Sequence, residues 1–152
     1  MDNQQQKPST NKKSNSLKAV LIVAGVGVIS CFLPAVNFKI FSMSITSLGG
    51  EGYLVLFAFL TVLVLNLFNK EFNIEQSKAI KISKYSIIAG IIIWVIFIFR
   101  MLNTAKSFST FGVKTEQIFN VIGIGFYLIN VVLIIELVLL FTVKIKQTDN
   151  NI

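Results

Sequence analysis

Residues 118–143 read IFNVIGIGFYLINVVLIIELVLLFTV, a stretch with a single charged residue, Glu136. A helix needs about 20 mostly apolar residues to cross a bilayer. The stretch exceeds that length, and it lacks the alternation of apolar and polar residues found in strands of membrane β-barrels. Because a segment in lipid must satisfy its backbone hydrogen bonds internally, we predict a membrane-spanning helix here.

The rest of the chain repeats this pattern. Of the 152 residues, 54% are hydrophobic and only 14% are charged, whereas about a quarter of the residues are charged in a typical soluble domain. The charged residues are concentrated between long apolar runs, which predicts four spans. These spans cover residues 17–36, 52–68, 80–102 and 118–143. We therefore predict an all-α membrane protein whose four transmembrane helices form an antiparallel bundle within residues 17–143.

The lysines predict the orientation of the chain in the membrane. If the N-terminus is cytoplasmic, the inner segments carry ten lysines and the outer segments carry three lysines and Arg100. Basic residues accumulate in short loops on the cytoplasmic side, so both termini are expected there. Residues 1–16 are polar and low in complexity and are expected to form a disordered tail; residues 144–152 form a second tail. Abundant lysine, isoleucine and asparagine have AT-rich codons, which favours the plasma membrane of a bacterium.

Several functional classes are disfavoured by residues that the chain lacks. It has no histidine, the commonest metal ligand and general base, and its one cysteine, Cys31, excludes an internal disulfide. The sequence contains no GxSxG, Walker or CxxC motif. The net charge of +7 comes from lysines that flank the spans, so it does not indicate nucleic acid as a partner. We expect a non-enzymatic protein without a metal or a cofactor.

Cys31 leaves two alternatives open. It ends the sequence VISC, residues 28–31, which fits a lipoprotein cleavage box after a basic N-terminus and an apolar run. However, the apolar sequence FLPAV follows it, whereas mature lipoproteins usually begin with polar residues. Cys31 is therefore either a lipidated N-terminal residue or, as we prefer, an ordinary residue near the outer end of the first helix.

Glu136 is the main candidate for a functional residue inside the membrane. A charge on the lipid side costs about 2.5–3.5 kcal/mol on insertion scales, so we expect Glu136 to face the other helices. We predict a polar cluster of Glu136, Lys84, Asn66 and one serine, Ser83 or Ser86. This cluster either fixes the register of the helices or relays protons or cations; a protonated acid that faces lipid is the third alternative.

Two further polar residues lie within the spans. Asn130, near the middle of the fourth span, is expected to form a hydrogen bond across the bundle. Arg100 lies about one turn from the outer end of the third span, where its long side chain can extend to the lipid headgroups.

Small residues recur on one face of three spans. Helices in lipid pack closely where small side chains let their backbones approach. The residues expected to serve this packing are Ala24, Gly27, Gly90, Gly123 and Gly125. The same stripes are an alternative surface for homo-oligomers.

The outer loops are the predicted contact surface. Apolar and hydroxyl residues alternate from Phe41 to Thr46, which is typical of a strand, and a short β-hairpin is expected in this loop. Phe108 and Phe111 lie three residues apart in the second outer loop. The two loops either pack against each other or bind an external peptide or protein. The residues proposed for such binding are Phe41, Met43, Ile45, Phe108 and Phe111.

Four spans, a basic N-terminal tail, FLPAV at the end of the first span and GGEGY at the start of the second resemble small four-helix bacterial membrane proteins. Most of these are uncharacterised, and some are bacteriocin-immunity or phage superinfection-exclusion proteins. The resemblance implies host protection through contact with a membrane protein or an exported peptide, and it carries over no functional residue. Two alternatives stay open: a small oligomeric channel or ion-coupled protein that uses Glu136, and an accessory subunit of a transporter.

Overall fold

The computed structural model describes residues 10–37, 42–109 and 122–143, and describes side chains from residue 15 onward, except for those of 104–109. Predominantly helical structure, as predicted, is present in this part of the chain. The elements in order are α1 (Thr10–Phe32), β1 (Pro34–Asn37), β2 (Ser42–Ser44), α2 (Ile45–Leu48), α3 (Gly50–Leu67), α4 (Gln76–Ser109) and α5 (Ile124–Thr142).

Four of these helices are long and apolar enough to cross a membrane. The candidate spans are Asn15–Phe32, Gly50–Leu67, Gln76–Asn103 and Ile124–Thr142. Their outward faces carry large apolar side chains, among them Ile22, Phe57, Ile92 and Ile134, each more than half exposed. Contiguous apolar surface of this kind is rare on soluble monomers, so the helices are consistent with a multi-pass membrane protein.

Both ends of α1 differ from the predicted first span. The helix begins at Thr10, inside the segment 1–16 that was expected to be disordered. Extending an existing helix by one residue costs much less free energy than nucleating a new helix, so the first span continues into this polar segment. It ends at Phe32 rather than at residue 36. Pro34 lacks a backbone N–H, and it also disfavours helical geometry at the residue before it.

The predicted hairpin is present, with a different first strand. β1 pairs with β2 in antiparallel register, with Val36 opposite Met43 and Asn37 opposite Ser42. Three of the four residues of the first strand, 34–36, thus come from the end of the predicted first span. The alternating stretch that predicted the hairpin forms a strand only in β2, and it then enters the single helical turn of α2.

The fourth long helix begins later than the sequence predicts. Ile122 forms a β-bridge with Val36, and the backbone N–H of Gly123 donates to the carbonyl oxygen of Ala35 at 2.7 Å. Residues 122 and 123 are therefore extended, and α5 starts at Ile124; residues 118–121 lie outside the described residues. These contacts join the start of α5 to β1.

The long helices pack around a shared apolar core. α1 lies against α3 and α5, and α4 lies against α3 and α5. Fully buried side chains from each helix meet in this core, including Val20, Phe59, Ile87 and Ile129. Burial of polar side chains among these apolar residues has to be explained by a specific partner or by a function.

Candidate functional site

Glu136 lies on the face of α5 that packs against the other elements. Its side chain is 0% exposed, and Val132, Leu133 and Leu140 are buried on the same face. Neither carboxyl oxygen has a hydrogen-bond partner within the described residues. A buried polar group without a partner costs about 1–3 kcal/mol, and more if it is charged. Glu136 therefore faces inward, as expected, and no hydrogen bond from a described residue offsets the cost of burying its carboxyl group.

Lys84 does not join Glu136. Its Nζ lies 4.8 Å from the centroid of the Phe141 ring, and Phe141, near the end of α5, is 60% exposed. A lysine side chain can keep its stem along apolar surface while its ammonium stays at a boundary, and an aromatic face attracts the cation. The charge of Lys84 is thus directed to the exposed face of the α4–α5 pair and away from the core.

Asn66 lies at the centre of a polar network between α3 and α4. Its Nδ2 donates to Ser83 Oγ at 2.8 Å and to the carbonyl oxygen of Val62 at 2.8 Å. Its Oδ1 accepts a bond from Gln76 Nε2 at 3.0 Å, and Gln76 Oε1 accepts from Asn69 Nδ2 at 2.7 Å. Both amide hydrogens and the carbonyl of Asn66 are satisfied. The network therefore connects the end of α3 to the start of α4.

The predicted cluster is thus divided into separate parts. Asn66 is bonded to Ser83, whereas Ser86 donates to the carbonyl oxygen of Ala58 at 3.4 Å, a long contact. Glu136 belongs to neither group. Two sequence-predicted residues, Asn66 and Ser83, are brought together, and the acid that motivated the prediction is left on its own among the described residues.

Asn130 forms a hydrogen bond between helices, as predicted. Its Oδ1 accepts a bond from the indole Nε1 of Trp94 on α4 at 3.0 Å, and its Nδ2 donates to the carbonyl oxygen of Phe126 at 2.7 Å. The Trp94 ring also stacks on Phe97, with 5.1 Å between centroids, and lies 5.3 Å from the Phe126 ring. This contact positions α4 against α5 between Glu136 and the start of α5.

The small residues on α1 and α4 allow close packing against α3. A Cβ added at Gly27 would overlap the ring of Phe59. A Cβ added at Gly90 would lie 3.0 Å from the Cβ of Ala58. Ala24 is fully buried on the same face of α1 as Gly27. These residues contact other helices of the same chain.

The two glycines near the start of α5 lie against the end of α1 and the start of β1. A Cβ at Gly125 would lie 2.6 Å from the carbonyl oxygen of Leu33, and one at Gly123 would overlap the carbonyl oxygen of Pro34. Only glycine permits this backbone approach without a shift. Gly123 and Gly125 thus hold the beginning of α5 against the hairpin.

We use the name outer cap for β1, β2, α2 and residues 122–123, because the lysine distribution predicts an outer location for the segment between the first two spans. β1 is held on both sides, by β2 and by the contacts with 122–123. Within the cap, Ser44 Oγ shares hydrogen bonds of 2.9 Å with Thr46 Oγ1 and with Ser47 Oγ. Ile45 is buried, and its carbonyl oxygen lies so close to Gly52 that a Cβ there would overlap it. The cap is therefore one packed unit.

An ion pair connects α3 and α4 near the cap. Arg100 donates to the carboxylate of Glu51, which lies in the first turn of α3. Arg100, for which the sequence predicts extension to lipid headgroups, thus has a protein partner. A glutamate is also favourable at this position because the N-terminus of a helix carries a partial positive charge.

The residues predicted to bind a partner have different positions. Met43 is half-buried in β2, and Ile45 is buried, so Ile45 stabilises the cap rather than forming its surface. Phe41 and Phe111 lie outside the described residues, and Phe108 lies in the part of α4 whose side chains are not described. Cys31 is buried within α1.

Three residues that form side-chain hydrogen bonds at the helix contacts were not predicted from the sequence. Trp94, Gln76 and Asn69 were not assigned to any site, although Trp94 is the only tryptophan of the chain and its indole N–H requires a partner when buried. Gln76 and Asn69 belong to the polar segment 69–84, whose sequence around them gives no periodic signal, although Gln76 is the first residue of α4. Within the described residues, no group of acidic, cysteine or histidine side chains could hold a metal ion.

The comparisons with known proteins return no relative. The chain matches no family model, no curated protein and no solved structure. The geometry of the described residues is therefore the basis for a functional proposal.

Proposed function

We propose that the protein is a non-enzymatic integral membrane protein of a bacterium. It binds a membrane protein or an exported peptide through the outer cap. Its role is to protect the host cell, as bacteriocin-immunity or phage-exclusion proteins do. This proposal rests on two contacts: the hydrogen bond from the Gly123 N–H to the Ala35 carbonyl oxygen, and the β-bridge between Val36 and Ile122. These contacts join the first predicted outer segment to residues 122–123, directly before α5, in one packed unit. A preorganised surface loses less conformational freedom on binding than separate flexible loops do.

The proposal includes an antiparallel bundle with both termini in the cytoplasm. Trp94 contacts Asn130, and Lys84 contacts Phe141, so earlier residues of α4 meet later residues of α5. This pairing supports opposite directions for α4 and α5. The lysine distribution supports a cytoplasmic location for the polar segment between α3 and α4. Reporter fusions at the two ends of the chain test it: both ends should report a cytoplasmic location.

The proposed mechanism is occlusion. The outer cap would cover a pore-forming peptide or its membrane receptor, so protection depends on the cap and not on chemistry inside the bundle. The test is to express the protein in a sensitive strain and to measure survival against a panel of pore-forming peptides and phages. Met43→Ser, in β2 of the cap, should abolish protection while the amount of protein in the membrane stays the same. We expect the same result for Phe111→Ala, in the second predicted outer loop.

Phe72→Ala is the matched control, because Phe72 is 55% exposed and lies in the segment between α3 and α4, on the proposed cytoplasmic side. This variant should protect as the wild type does. Protection that survives deletion of both outer segments would contradict the proposal.

Glu136 supports a second candidate function, a small channel or an ion-coupled protein. Its carboxyl oxygens are buried without a partner in the described residues, and acids inside membranes often mark ion pathways. The test is ion flux in liposomes that contain the purified protein. The wild type should conduct ions and Glu136→Gln should abolish the flux. Absence of flux in the wild type excludes the second candidate, and flux that is unchanged in the variant excludes a role for Glu136 in it.

A further inference from the structure

Lys84 is a cation whose carboxylate partner is absent from the described part of the chain. The ion pairs found there are Lys78–Glu75 and Arg100–Glu51, and the contact of Lys84 is with the ring of Phe141. A lysine ammonium has three N–H donors, and one aromatic face does not satisfy them. The ammonium of Lys84 can therefore donate hydrogen bonds to a further acceptor, such as an anionic oxygen.

The position of Lys84 along the fold is at the end of the apolar region. Phe141 belongs to the last turn of α5, which ends at Thr142, so the Lys84 ammonium lies level with that end. Lys81 precedes it by three residues on α4 and is exposed. Residues three apart on a helix are neighbours on its surface, so the two ammonium groups border the same region.

The surroundings combine positive charge with apolar surface. Residues 69–84 contain four lysines and two glutamates, and one of the glutamates is paired with Lys78. Lys84 contacts Phe141 of α5, which is 60% exposed. Val138 precedes Phe141 by three residues, on the same face of α5, and is 55% exposed. A ligand that fits has a negative headgroup at the level of the lysines and an apolar part along α5.

We propose that Lys81 and Lys84 bind the phosphate of an anionic phospholipid of the inner leaflet, with an acyl chain along Val138 and Phe141. Basic residues next to the cytoplasmic end of a membrane helix attract anionic lipids. The inference rests on the proposed orientation of the chain and is independent of the proposed partner at the outer cap.

The test uses the full-length protein purified in an uncharged detergent. It is titrated with phosphatidylglycerol or with phosphatidylcholine of the same acyl chains, and bound lipid is counted by native mass spectrometry. We expect phosphatidylglycerol to bind more tightly than phosphatidylcholine. Lys84→Gln and Lys81→Gln should each weaken this binding about fivefold, the ratio that corresponds to about 1 kcal/mol per lysine near the surface.

Lys70→Gln is the matched control, because it removes the same charge from the segment that precedes α4 and should leave the binding unchanged. Three outcomes overturn the inference: equal binding of the two lipids, an equal loss in Lys70→Gln and Lys84→Gln, and full competition by inorganic phosphate at the same concentration. Circular dichroism of each variant shows whether it is folded. Because the assay contains no bilayer, its failure leaves the proposed orientation and the outer-cap function to their own tests.

Discussion

The indole nitrogen of Trp94 donates a hydrogen bond to Oδ1 of Asn130, and this bond connects α4 to α5 at 3.0 Å. The amide of Asn130 is oriented by its own bond to the carbonyl oxygen of Phe126. Because Nδ2 is occupied in this way, Oδ1 is directed to the neighbouring helix. A side-chain bond between helices in lipid restricts both the rotation and the axial position of the two helices.

Trp94→Phe should therefore destabilise the protein without unfolding it. The ring stacking is largely kept, whereas Asn130 Oδ1 loses its donor, and we expect a loss of about 0.6–1.7 kcal/mol in the free energy of unfolding. The measurement is unfolding in mixed micelles titrated with a denaturing detergent. A double-mutant cycle with Asn130→Leu should give a coupling energy of the same size. Additive effects of the two substitutions would show that the bond contributes nothing.

Gly27 gives a prediction with a control on the same helix. Gly27→Ala places a Cβ in the ring of buried Phe59, and overpacking of this kind costs about 1–3 kcal/mol. Gly25→Ala lies two residues earlier on α1, with no atom within 4 Å of the added Cβ. Thermal unfolding in detergent should show a lower midpoint for Gly27→Ala and no decrease for Gly25→Ala. Adding Phe59→Leu should restore part of the loss at Gly27; equal midpoints for the two alanine variants would contradict the packing of α1 on α3.

The spans could be predicted from the sequence because the constraint that defines them is local. A run of apolar residues such as 124–142 has to form a helix in lipid, whatever its neighbours are. The hairpin was harder to place. Ala35 and Val36 are apolar and continue the first span by composition, and only Pro34 indicated that the helix ends. Their pairing with residues 42–44 and with Ile122 depends on contacts that are distant in the sequence.

The candidate site could be predicted less well than the fold. The inward position of Glu136 and the bond of Asn130 follow from the cost of placing a polar group in lipid. The partners do not follow from that cost. Lys84 was placed beside Glu136 because both lie near the inner end of their spans, whereas the direction of its side chain is decided by the position of Phe141. The role of Gln76 depends on how the chain turns back between α3 and α4.

The network around Asn66 predicts a difference between two neighbouring asparagines. Asn66→Leu leaves the Nε2 of Gln76 without its acceptor and removes the donor to Ser83, and we expect a loss of about 1–3 kcal/mol in the free energy of unfolding. Asn69→Leu removes one bond at a half-buried position and should cost less than about 1 kcal/mol. Detergent unfolding of both variants provides the measurement. A larger loss in Asn69→Leu would show that the network is not centred on Asn66.

Glu136 provides the prediction that separates a structural role from a functional one. Leucine has a similar volume and no polar atoms, so Glu136→Leu removes two buried oxygens that have no partner within the described residues. Replacement of an unsatisfied buried polar group by an apolar one of the same shape is neutral or stabilising. We therefore expect the free energy of unfolding to stay the same or to rise by about 1–3 kcal/mol.

The control for this substitution is Ile134→Leu, on the exposed face of the same helix, which should change stability little. A clear loss of stability in Glu136→Leu would show that the acid has a structural partner, and would remove the reason to test it for ion transport. A gain would mean that the fold carries Glu136 at a cost. In that case its use must lie in an interaction that the isolated bundle does not make, such as an ion in transit or a basic group of a partner.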